Sequence, residues 1–493
     1  MMKKVWIGAC CLWINFGAVA QNAGKLPYDP ATRYSVPQLQ ADFAFLRRAL
    51  EEAHPGLYWY TPKDSLDLYF ERTAAALSHQ MGEEEYWGLL QTVVARVHCG
   101  HTRLQHSPAY RAWSRQQPHY IFPFTVAIRQ NRLFVAANQS TDPTLRPGTE
   151  LLAIEGHPAR EVLAGMRVRL SGDGYGFGFQ DQQLEAGFFD NTYWSLYEAK
   201  PTYELLVQDS TGQQRRLSPQ LQRPASAAAT PSAKMPLSPA QQRDRQLARR
   251  RSLSYPAGLP ATAILRISSF DYDELEDYKN YHASVFAEMA QRKVRRLVID
   301  LRGNTGGNNA IAIDLLKYLL KRDFALTKSA LTPVFAPSFM PLGQDSDSAF
   351  DTTNVKRLPN GLFGFAAATV GKQTPYRQDY FRGKVAVVVD GGTFSAASNF
   401  AASLRAQRHI TVLGQESGGA EAGANGGIIS AIALPQTQLV LQLPHFRLLS
   451  ACARPQLGRG VRPDIEIIPT PRQLASRTDA VLLQPPRILR GRR

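Results

Sequence analysis

The chain has 493 residues, of which 44% are hydrophobic and 20% are charged. This is the composition of a globular protein, and the chain is too long for one ordinary core. Its net charge of +16 comes largely from basic residues concentrated at 243–251 and 487–493. No zinc-finger, helix-turn-helix or RNA-binding motif accompanies these stretches, so we interpret them as solvated basic segments and expect no nucleic-acid partner.

The first twenty residues have the pattern of a secretory signal peptide. Lys3 and Lys4 precede a mostly apolar run, and Ala18-Val19-Ala20 gives the small-x-small cleavage pattern before Gln21. The run is too short for a spanning helix, and no later stretch qualifies as one, so we expect an exported protein, periplasmic or extracellular, without an integral membrane segment after cleavage. Residues 7–10 (Ile-Gly-Ala-Cys) offer a weaker lipoprotein alternative, since almost no apolar region precedes them.

Cleavage after Ala20 would leave Cys99 and Cys452 as the remaining cysteines. Two cysteines in an exported protein can pair or stay free, and the sequence leaves both open. A disulfide between them would tie Cys452 next to His101.

Three helices are predicted between about 35 and 97. Apolar residues recur at helical spacing from Leu39 to Leu50, a second helix covers about 63–79, and a third starts near Gly82 with three glutamates in its first turn. We therefore expect a helical N-terminal domain at 21–115, after the signal peptide (1–20).

Short strands follow from about 118 to 215. Phe122, Phe124, Val126 and Ile128 alternate as in a half-buried strand, and turn residues separate further short apolar runs. These features predict a small β-rich domain at 116–217. Residues 218–252 are rich in Ala, Ser, Pro, Gln and Arg, which is typical of a flexible linker.

Strands and helices alternate from Ala261 onward. Strands are predicted at 263–267, 296–300, 385–389 and 410–413, and helices at 278–292, 309–320 and 395–408. This order predicts an α/β core at 253–475, followed by a basic tail at 476–493.

Ser395 is the candidate nucleophile. The buried strand 385–389 is broken by Asp390-Gly391-Gly392, and a helix follows, so Ser395 lies at the first turn of that helix. Unpaired amides and the helix dipole stabilise developing negative charge there. The competing interpretation is a serine that only caps the helix. Ser398 and Ser417 are weaker candidates.

A glycine loop at 300–307 (Asp-Leu-Arg-Gly-Asn-Thr-Gly-Gly) also follows a buried strand and opens a helix. Gly306 and Gly307 let the backbone approach a ligand closely. The loop matches neither the Walker nor the dinucleotide pattern. An oxyanion-binding loop, a phosphate-binding loop and a plain tight turn remain open.

His101 is the candidate base. It follows Cys99 and Gly100, where Gly100 breaks the preceding helix. A neutral imidazole can take a serine proton near neutral pH. The alternatives are a histidine with a structural role and a metal site built from His98, Cys99 and His101, but zinc needs further ligands and no second Cys/His cluster follows. We expect no metal and no cofactor.

Taken together, these segments resemble the serine peptidase family of tail-specific (C-terminal processing) proteases and the tricorn core. The family's Asp-x-Arg-x-Asn-x-Gly-Gly motif matches 300–307, its Thr-x-Ser-x-x motif matches 393–397, and its closing Gly-Val-x-Pro-Asp-Ile resembles 460–465. The resemblance covers about 255–470 and extends to His54-Pro55-Gly56 and Gly100-His101-Thr102 in the N-terminal region, as in bacterial exported members.

One departure concerns the base. Tail-specific proteases place a lysine directly after a Gly-x-x-Thr-x-Gly segment, which corresponds here to 414–419, but the next residue is Ala420 and no lysine follows Lys384. The tricorn-like branch uses a histidine from an upstream segment instead, and His101 occupies that place. The resemblance therefore implies the Ser-His rather than the Ser-Lys branch.

The resemblance also implies the rest of the site. The acid that orients His101 would be Glu416, with Glu421 as an alternative, because the acidic position after the nucleophile is Asn399 here. The oxyanion hole would use the backbone amides of Gly306 or Gly307 and of Ala396. The implied fold is α/β: a crotonase-like β/α protease core preceded by a helical N-terminal domain and a PDZ-like β-rich domain.

These features predict an exported serine endopeptidase that hydrolyses peptide or protein substrates through an acyl-enzyme. The main alternative is a non-catalytic protein that keeps the fold and binds a ligand or peptide, as retinoid-binding relatives of the family do. A basic adaptor for anionic partners is a third interpretation. The sequence does not indicate an oligomeric state.

Overall fold

A computed structural model of the protein describes residues 28–117, 121–221, 239–270, 275–334, 337–339, 355–359, 361–365, 371–452, 454–476 and 479–481. The predicted signal peptide and residues 222–238 of the predicted linker lie outside the described residues. So does most of the predicted basic tail.

Helices form the first part of the structure. Helix α1 begins after the cap residue Ser35, whose backbone and side chain form a reciprocal capping box with Gln38. The elements of this part are α1 (Val36–Ala53), α2 (Lys63–Ala76), α3 (Glu83–Ala95), β1 (Arg103–Gln105) and α4 (Pro108–Ser114).

An antiparallel sheet forms the second part, with strand order β2-β3-β4-β6-β7 and β5 paired to β4. One face packs on helices around an apolar cluster that includes Phe122, Val135 and Tyr193. The elements are β2 (Phe124–Arg129), β3 (Arg132–Asn138), β4 (Glu150–Ile154), β5 (His157–Pro158), α5 (Ala159–Arg167), α6 (Gly178–Gln183), a π-helical turn (Leu184–Phe188), α7 (Phe189–Trp194), β6 (Leu205–Gln208) and β7 (Gln214–Leu217).

A six-stranded sheet of order β18-β15-β14-β10-β9-β8 is the centre of the third part. All its strand pairs are parallel except β8 with β9. Its elements and the surrounding helices are α8 (Pro239–Arg250), β8 (Arg251–Ser254), β9 (Thr262–Ile267), α9 (Leu275–Gln291), β10 (Arg296–Asp300), α10 (Asn309–Leu319), β14 (Lys384–Val389), α11 (Ala396–Gln407), β15 (Thr411–Gly414), β18 (Ile465–Glu466) and α12 (Pro471–Ala475). The mixed α/β class is therefore confirmed.

The second half of the predicted linker is regular structure. Residues 239–250 form helix α8, and Arg251–Ser254 pair with β9 as the edge strand of the central sheet. The side chain of Arg251 also stacks on the rings of Tyr278 and Tyr281. The basic composition of this stretch therefore does not prevent it from forming ordered structure, because cation–π contacts and strand pairing stabilise it.

A second sheet of the third part contains a long hairpin. Its strands are β11 (Thr327–Thr332), β12 (Val355–Arg357), β13 (Phe363–Phe365), β16 (Gly423–Ala433) and β17 (Val440–Ser450). Strand β17 pairs with β16 on one side and also with β1 and β11.

The N-terminal helices share one core with this hairpin. Leu46, Leu90 and Val94 belong to the same buried apolar cluster as Leu441 and Leu443 of β17. Strand β1 also pairs with β17, with Arg103 opposite Gln442. This common core holds the segment just before β1, which contains His101, against the third part of the structure.

Two further findings concern membrane-spanning helices and the cysteines. Among the residues that the structure describes, no helix is long and apolar enough to cross a membrane. Cys99 is buried, Cys452 is partly buried, and both are free thiols, so the two cysteines do not pair in this structure.

Candidate active site

Ser395 lies in a sharp turn between β14 and α11. Its backbone has φ 51° and ψ −123°, a conformation that is strained for a residue with a side chain. Its side chain makes no capping hydrogen bond to the helix. Instead Oγ lies 3.2 Å from Nε2 of His101. A capping role therefore does not explain this serine, whereas a strand-to-helix turn that exposes a nucleophile does.

His101 reaches Ser395 from 294 residues away in the sequence. Its ring packs against the Phe394 ring, with centroids 4.8 Å apart. Burial, together with the nearby Arg103 guanidinium, lowers the pKa of His101 to about 3. The imidazole is therefore neutral at neutral pH, as a general base must be.

Gly100 allows this contact between the two segments. A Cβ atom at Gly100 would lie 2.5 Å from the Phe394 ring, and Phe394 in turn stacks on Phe179 with centroids 3.9 Å apart. The residue before His101 must therefore be small for the imidazole to reach Ser395.

The glycine loop at 300–307 lies directly against the nucleophile. A Cβ atom on Gly306 would be 2.7 Å from Cβ of Ser395 and 2.9 Å from the amide nitrogen of Ala396. The Ala396 amide is at the first helical position, where no partner exists within a helix. Gly307, with φ 128°, continues the loop. The predicted oxyanion segments are therefore adjacent in space.

The Gly306 amide, however, is already engaged in a hydrogen bond within the loop. It donates a hydrogen bond of 2.9 Å to Oδ1 of Asn304, whose Nδ2 donates to the Ile267 carbonyl. The sequence predicted Gly306 or Gly307 as an oxyanion donor together with Ala396. Gly306 also lets the loop pass close to Ser395, because a side chain there would clash with the serine turn.

Replacing Gly306 with alanine should lower kcat/KM by about 100-fold or more, because the added methyl group would displace the Ser395 turn and positive φ disfavours alanine. Gly303 is the matched control. It also has positive φ, but a Cβ atom there meets nothing within 4 Å. Gly303→Ala should cost about 1 kcal/mol of stability and keep its activity. Steady-state kinetics with thermal melts on both variants test this, and equal activities would contradict it.

Glu416, predicted as the orienting acid, does not contact His101. Its carboxylate accepts hydrogen bonds from the Arg459 guanidinium and from the Gly460 amide, the latter at 2.7 Å. Glu421 is likewise paired with Arg405. Both carboxylates form ion pairs with arginines, Glu416 with Arg459 and Glu421 with Arg405. The spacing of the motif could not reveal these pairs.

The two weaker serine candidates are also engaged elsewhere. Oγ of Ser398 donates to the Thr393 carbonyl at 2.7 Å, and Oγ of Ser417 donates to the Gly419 carbonyl at 2.8 Å. Among the described residues neither hydroxyl is hydrogen-bonded to a histidine, whereas Ser395 contacts His101.

Asp173, which the sequence did not single out, lies beside the candidate site. It lies in a glycine-rich loop before α6, and its Oδ1 accepts a 2.8 Å hydrogen bond from the Gly100 amide. One ligand-type atom each of Cys99, His101 and Asp173 lie within 4.8 Å of one another. In the sequence, the only feature that pointed to Asp173 was its position as a single acid within Ser-Gly-Asp-Gly.

Two buried polar atoms lack partners at this point. Within the part of the chain that the structure describes, neither Nδ1 of His101 nor Oδ2 of Asp173 has a hydrogen-bond partner. Burial raises the pKa of Asp173 to about 7, while interactions with the backbone amides of Gly100 and Ala420 oppose this rise. A ligand-type atom of His101 and one of Asp173 also lie within 4.8 Å of each other, beside the contact between Ser395 and His101.

Other buried acids hold the loops in place. Oδ1 of Asp390 accepts hydrogen bonds from the amides of Gly303 and Gly392, both at 2.9 Å, and so ties the glycine loop to the nucleophile turn. Arg302 bridges Asp300 and Asp479. The Asp and Arg of the 300–307 motif thus stabilise the scaffold around the site.

Part of the chain matches one family model. Residues 261–467 match the family model described as Peptidase family S41. No curated protein matches the chain.

Solved structures extend the likeness over most of the chain. Mature CPAF complexed with lactacystin is similar at TM-score 0.63 and 16% identity, over 90% of this chain and 95% of that chain. Mature CPAF alone gives TM-score 0.61 and 15% identity, over 89% and 94%. The photosystem II D1 C-terminal processing protease gives TM-score 0.42 and 13% identity, over 92% and 97%. At these identities the first two structures show a shared fold.

Proposed function

We propose that the chain, whose residues 261–467 match the model of Peptidase family S41, is a serine-type peptidase with Ser395 as its nucleophile and His101 as its general base. The observation that carries this proposal is the 3.2 Å approach of Nε2 of His101 to Oγ of Ser395. The substrate is a peptide or protein, as the family implies.

The proposed reaction follows acyl-transfer chemistry. His101 takes the hydroxyl proton as Ser395 attacks the peptide carbonyl, and it then gives that proton to the leaving amine. Water hydrolyses the acyl-enzyme in the second half. The Ala396 amide, at the positive end of α11, donates to the oxyanion, and an amide of the Gly306–Gly307 loop is proposed as the second donor.

We propose Asp173, in place of Glu416, as the residue that positions His101. When His101 acts as a base through Nε2, Nδ1 carries the ring proton and needs an acceptor. Asp173 has an unpartnered buried oxygen and a ligand atom within 4.8 Å of the histidine ligand atom. A small inward shift on substrate binding would complete this hydrogen bond, since catalytic contacts often tighten only in the substrate complex.

Asp173→Asn should lower kcat by about 100-fold or more, because the amide is a poor stabiliser of the imidazolium, while KM and melting temperature change little. Glu416→Gln is the matched control. It removes the ion pair with Arg459, so a lower melting temperature with kcat largely kept is expected. Steady-state kinetics and thermal melts on both variants decide between the two acids, and the reverse pattern would return the role to Glu416.

Labelling with a fluorophosphonate probe tests the nucleophile directly. Intact-mass spectrometry should show one adduct, and peptide mapping should place it on Ser395. Ser398→Ala is the matched control and should still be labelled. Lactacystin, which a structural neighbour binds, is a second probe for the same site. A folded protein that forms no adduct would overturn the proposal and favour a non-catalytic binding protein.

We further propose export, on the signal-like pattern at 1–20. N-terminal sequencing of protein recovered outside the cytoplasm should then begin at Gln21. Retention of the first twenty residues would refute the cleavage site. Recovery of a lipid-modified Cys10 would support the lipoprotein alternative.

A further inference from the structure

Three side chains of different chemistry converge behind the catalytic pair: the thiol of Cys99, the imidazole of His101 and the carboxylate of Asp173. Their ligand-type atoms lie within 4.8 Å of one another. Cys99 is fully buried and Asp173 is 7% exposed. Thiolate, imidazole and carboxylate are the three ligand types that Zn²⁺ takes in proteins.

Two polar side-chain atoms of this cluster form no hydrogen bond with their surroundings. Oδ2 of Asp173 and Nδ1 of His101 are buried without hydrogen-bond partners in the described residues. Buried polar atoms are normally satisfied, so such a pair requires an explanation. An ion held between them would satisfy both atoms.

Distance and charge both suit a small divalent cation. In a tetrahedral zinc site the metal–ligand bonds are about 2.0–2.3 Å, which places ligand atoms roughly 3.3–3.8 Å apart. The atoms here need only a modest contraction from their upper separation of 4.8 Å. A thiolate and a carboxylate also balance the two charges of Zn²⁺, so the buried complex would be neutral.

We propose that Cys99, His101 and Asp173 form a zinc-binding site that switches the peptidase off. Binding deprotonates the Cys99 thiol, forms the sulfur–zinc bond and releases the proton to solvent. No electron transfer is involved, and a water molecule takes the fourth position. The inhibitory effect, but not the binding, rests on the function proposed above.

Inhibition follows from the geometry whichever ring nitrogen binds. Ligation of Nδ1 moves the ring proton to Nε2, which then donates to Ser395 instead of accepting its proton. Ligation of Nε2 removes the atom that faces Oγ of Ser395. In both cases His101 no longer acts as a base.

The binding test uses the Ser395→Ala protein, which keeps all three ligands and does not depend on catalysis. Titration with Zn²⁺ against a chromophoric chelator should show one tight site. Adding Cys99→Ala should weaken it by about 100-fold, and Cys99→Ser, which keeps the side-chain volume, should weaken it similarly. Cys452→Ala is the matched cysteine control and should leave the affinity unchanged.

Cobalt supplies a spectroscopic test of the sulfur ligand. Co²⁺ added to the Ser395→Ala protein should give a sulfur-to-metal charge-transfer band in the near ultraviolet, because thiolate is a ligand. The band should disappear in the Cys99 variants and persist in Cys452→Ala. Zinc affinity and a cobalt band that are the same with and without Cys99 would overturn the proposal.

Activity supplies the separate test of switching. Zn²⁺ should block probe labelling of the wild-type protein and of Cys452→Ala, and a chelator should restore it. At a zinc concentration that saturates the wild-type site but not the weakened site of Cys99→Ala, zinc should leave the labelling of that variant unchanged. Inhibition that persists in Cys99→Ala would overturn the switch. Absence of labelling without zinc would instead refute the proposed function and leave the binding result standing.

Discussion

Ser395→Ala should reduce kcat/KM for peptide hydrolysis by at least about 10⁴-fold, with the fold and melting temperature unchanged. The hydroxyl of Ser395 is held by a strained turn and faces Nε2 of His101 at 3.2 Å. Alanine keeps the backbone of that turn and removes only the atom that would form the acyl bond.

The measurement is steady-state cleavage of a peptide library, with circular dichroism to confirm the fold. Ser398→Ala is the control variant, since its hydroxyl is tied to the Thr393 carbonyl. Retained activity in Ser395→Ala would refute the assignment of the nucleophile. A large loss in Ser398→Ala with full activity in Ser395→Ala would transfer the role to Ser398.

His101→Ala should produce a loss comparable to that of Ser395→Ala, and the double variant should be no less active than the poorer single variant. Serine and base act as one unit, so removing either disables the same step and the effects are not additive. Additive losses would show that the two side chains act independently, contrary to their contact in the structure.

The control for His101 is the nearby histidine His98, which also has a positive φ of 54°. Asparagine tolerates that conformation, so His98→Asn preserves the local backbone. Its kcat/KM should stay within about threefold of the wild-type value. A loss as large as that of His101→Ala would indicate that the segment tolerates no change, rather than that His101 is the base.

Much of the α/β core could be read from the sequence. The strand predicted at 385–389 is β14 (Lys384–Val389), and the helix predicted at 395–408 is α11 (Ala396–Gln407). Both signals are strong because buried parallel strands are continuous apolar runs and the helix has a regular apolar spacing.

The hairpin of β16 and β17 was not predicted, and the reason lies in its composition. Strand β16 begins with Gly423-Ala424-Asn425-Gly426-Gly427, which favours a loop, and β17 carries Pro444 in its interior. The pairing shifts register between Gly426 and Ile429, opposite this region. Local preference is overridden here by the pairing of β17 with three neighbours.

The candidate site was predicted only in part, because contacts between distant segments leave no local pattern in the sequence. Motifs identified Ser395 and His101, and the structure brings them together. The acid that we propose as the positioning residue, Asp173, was beyond motif reasoning because it comes from a different loop, whereas Glu416 pairs with Arg459. Which carboxylate meets an imidazole is decided by packing between distant segments, and this chain offers no alternation or spacing that encodes it.

The shared core of the N-terminal helices and the β16–β17 hairpin joins segments that lie far apart in the sequence. Loop closure over almost 300 residues is entropically costly and slow, so contacts between such distant segments form late in folding. The Ser395–His101 pair therefore exists only after both ends of the chain have met. A partly synthesised or partly unfolded chain lacks the Ser395–His101 contact, so proteolysis by the proposed pair would begin only when folding is complete.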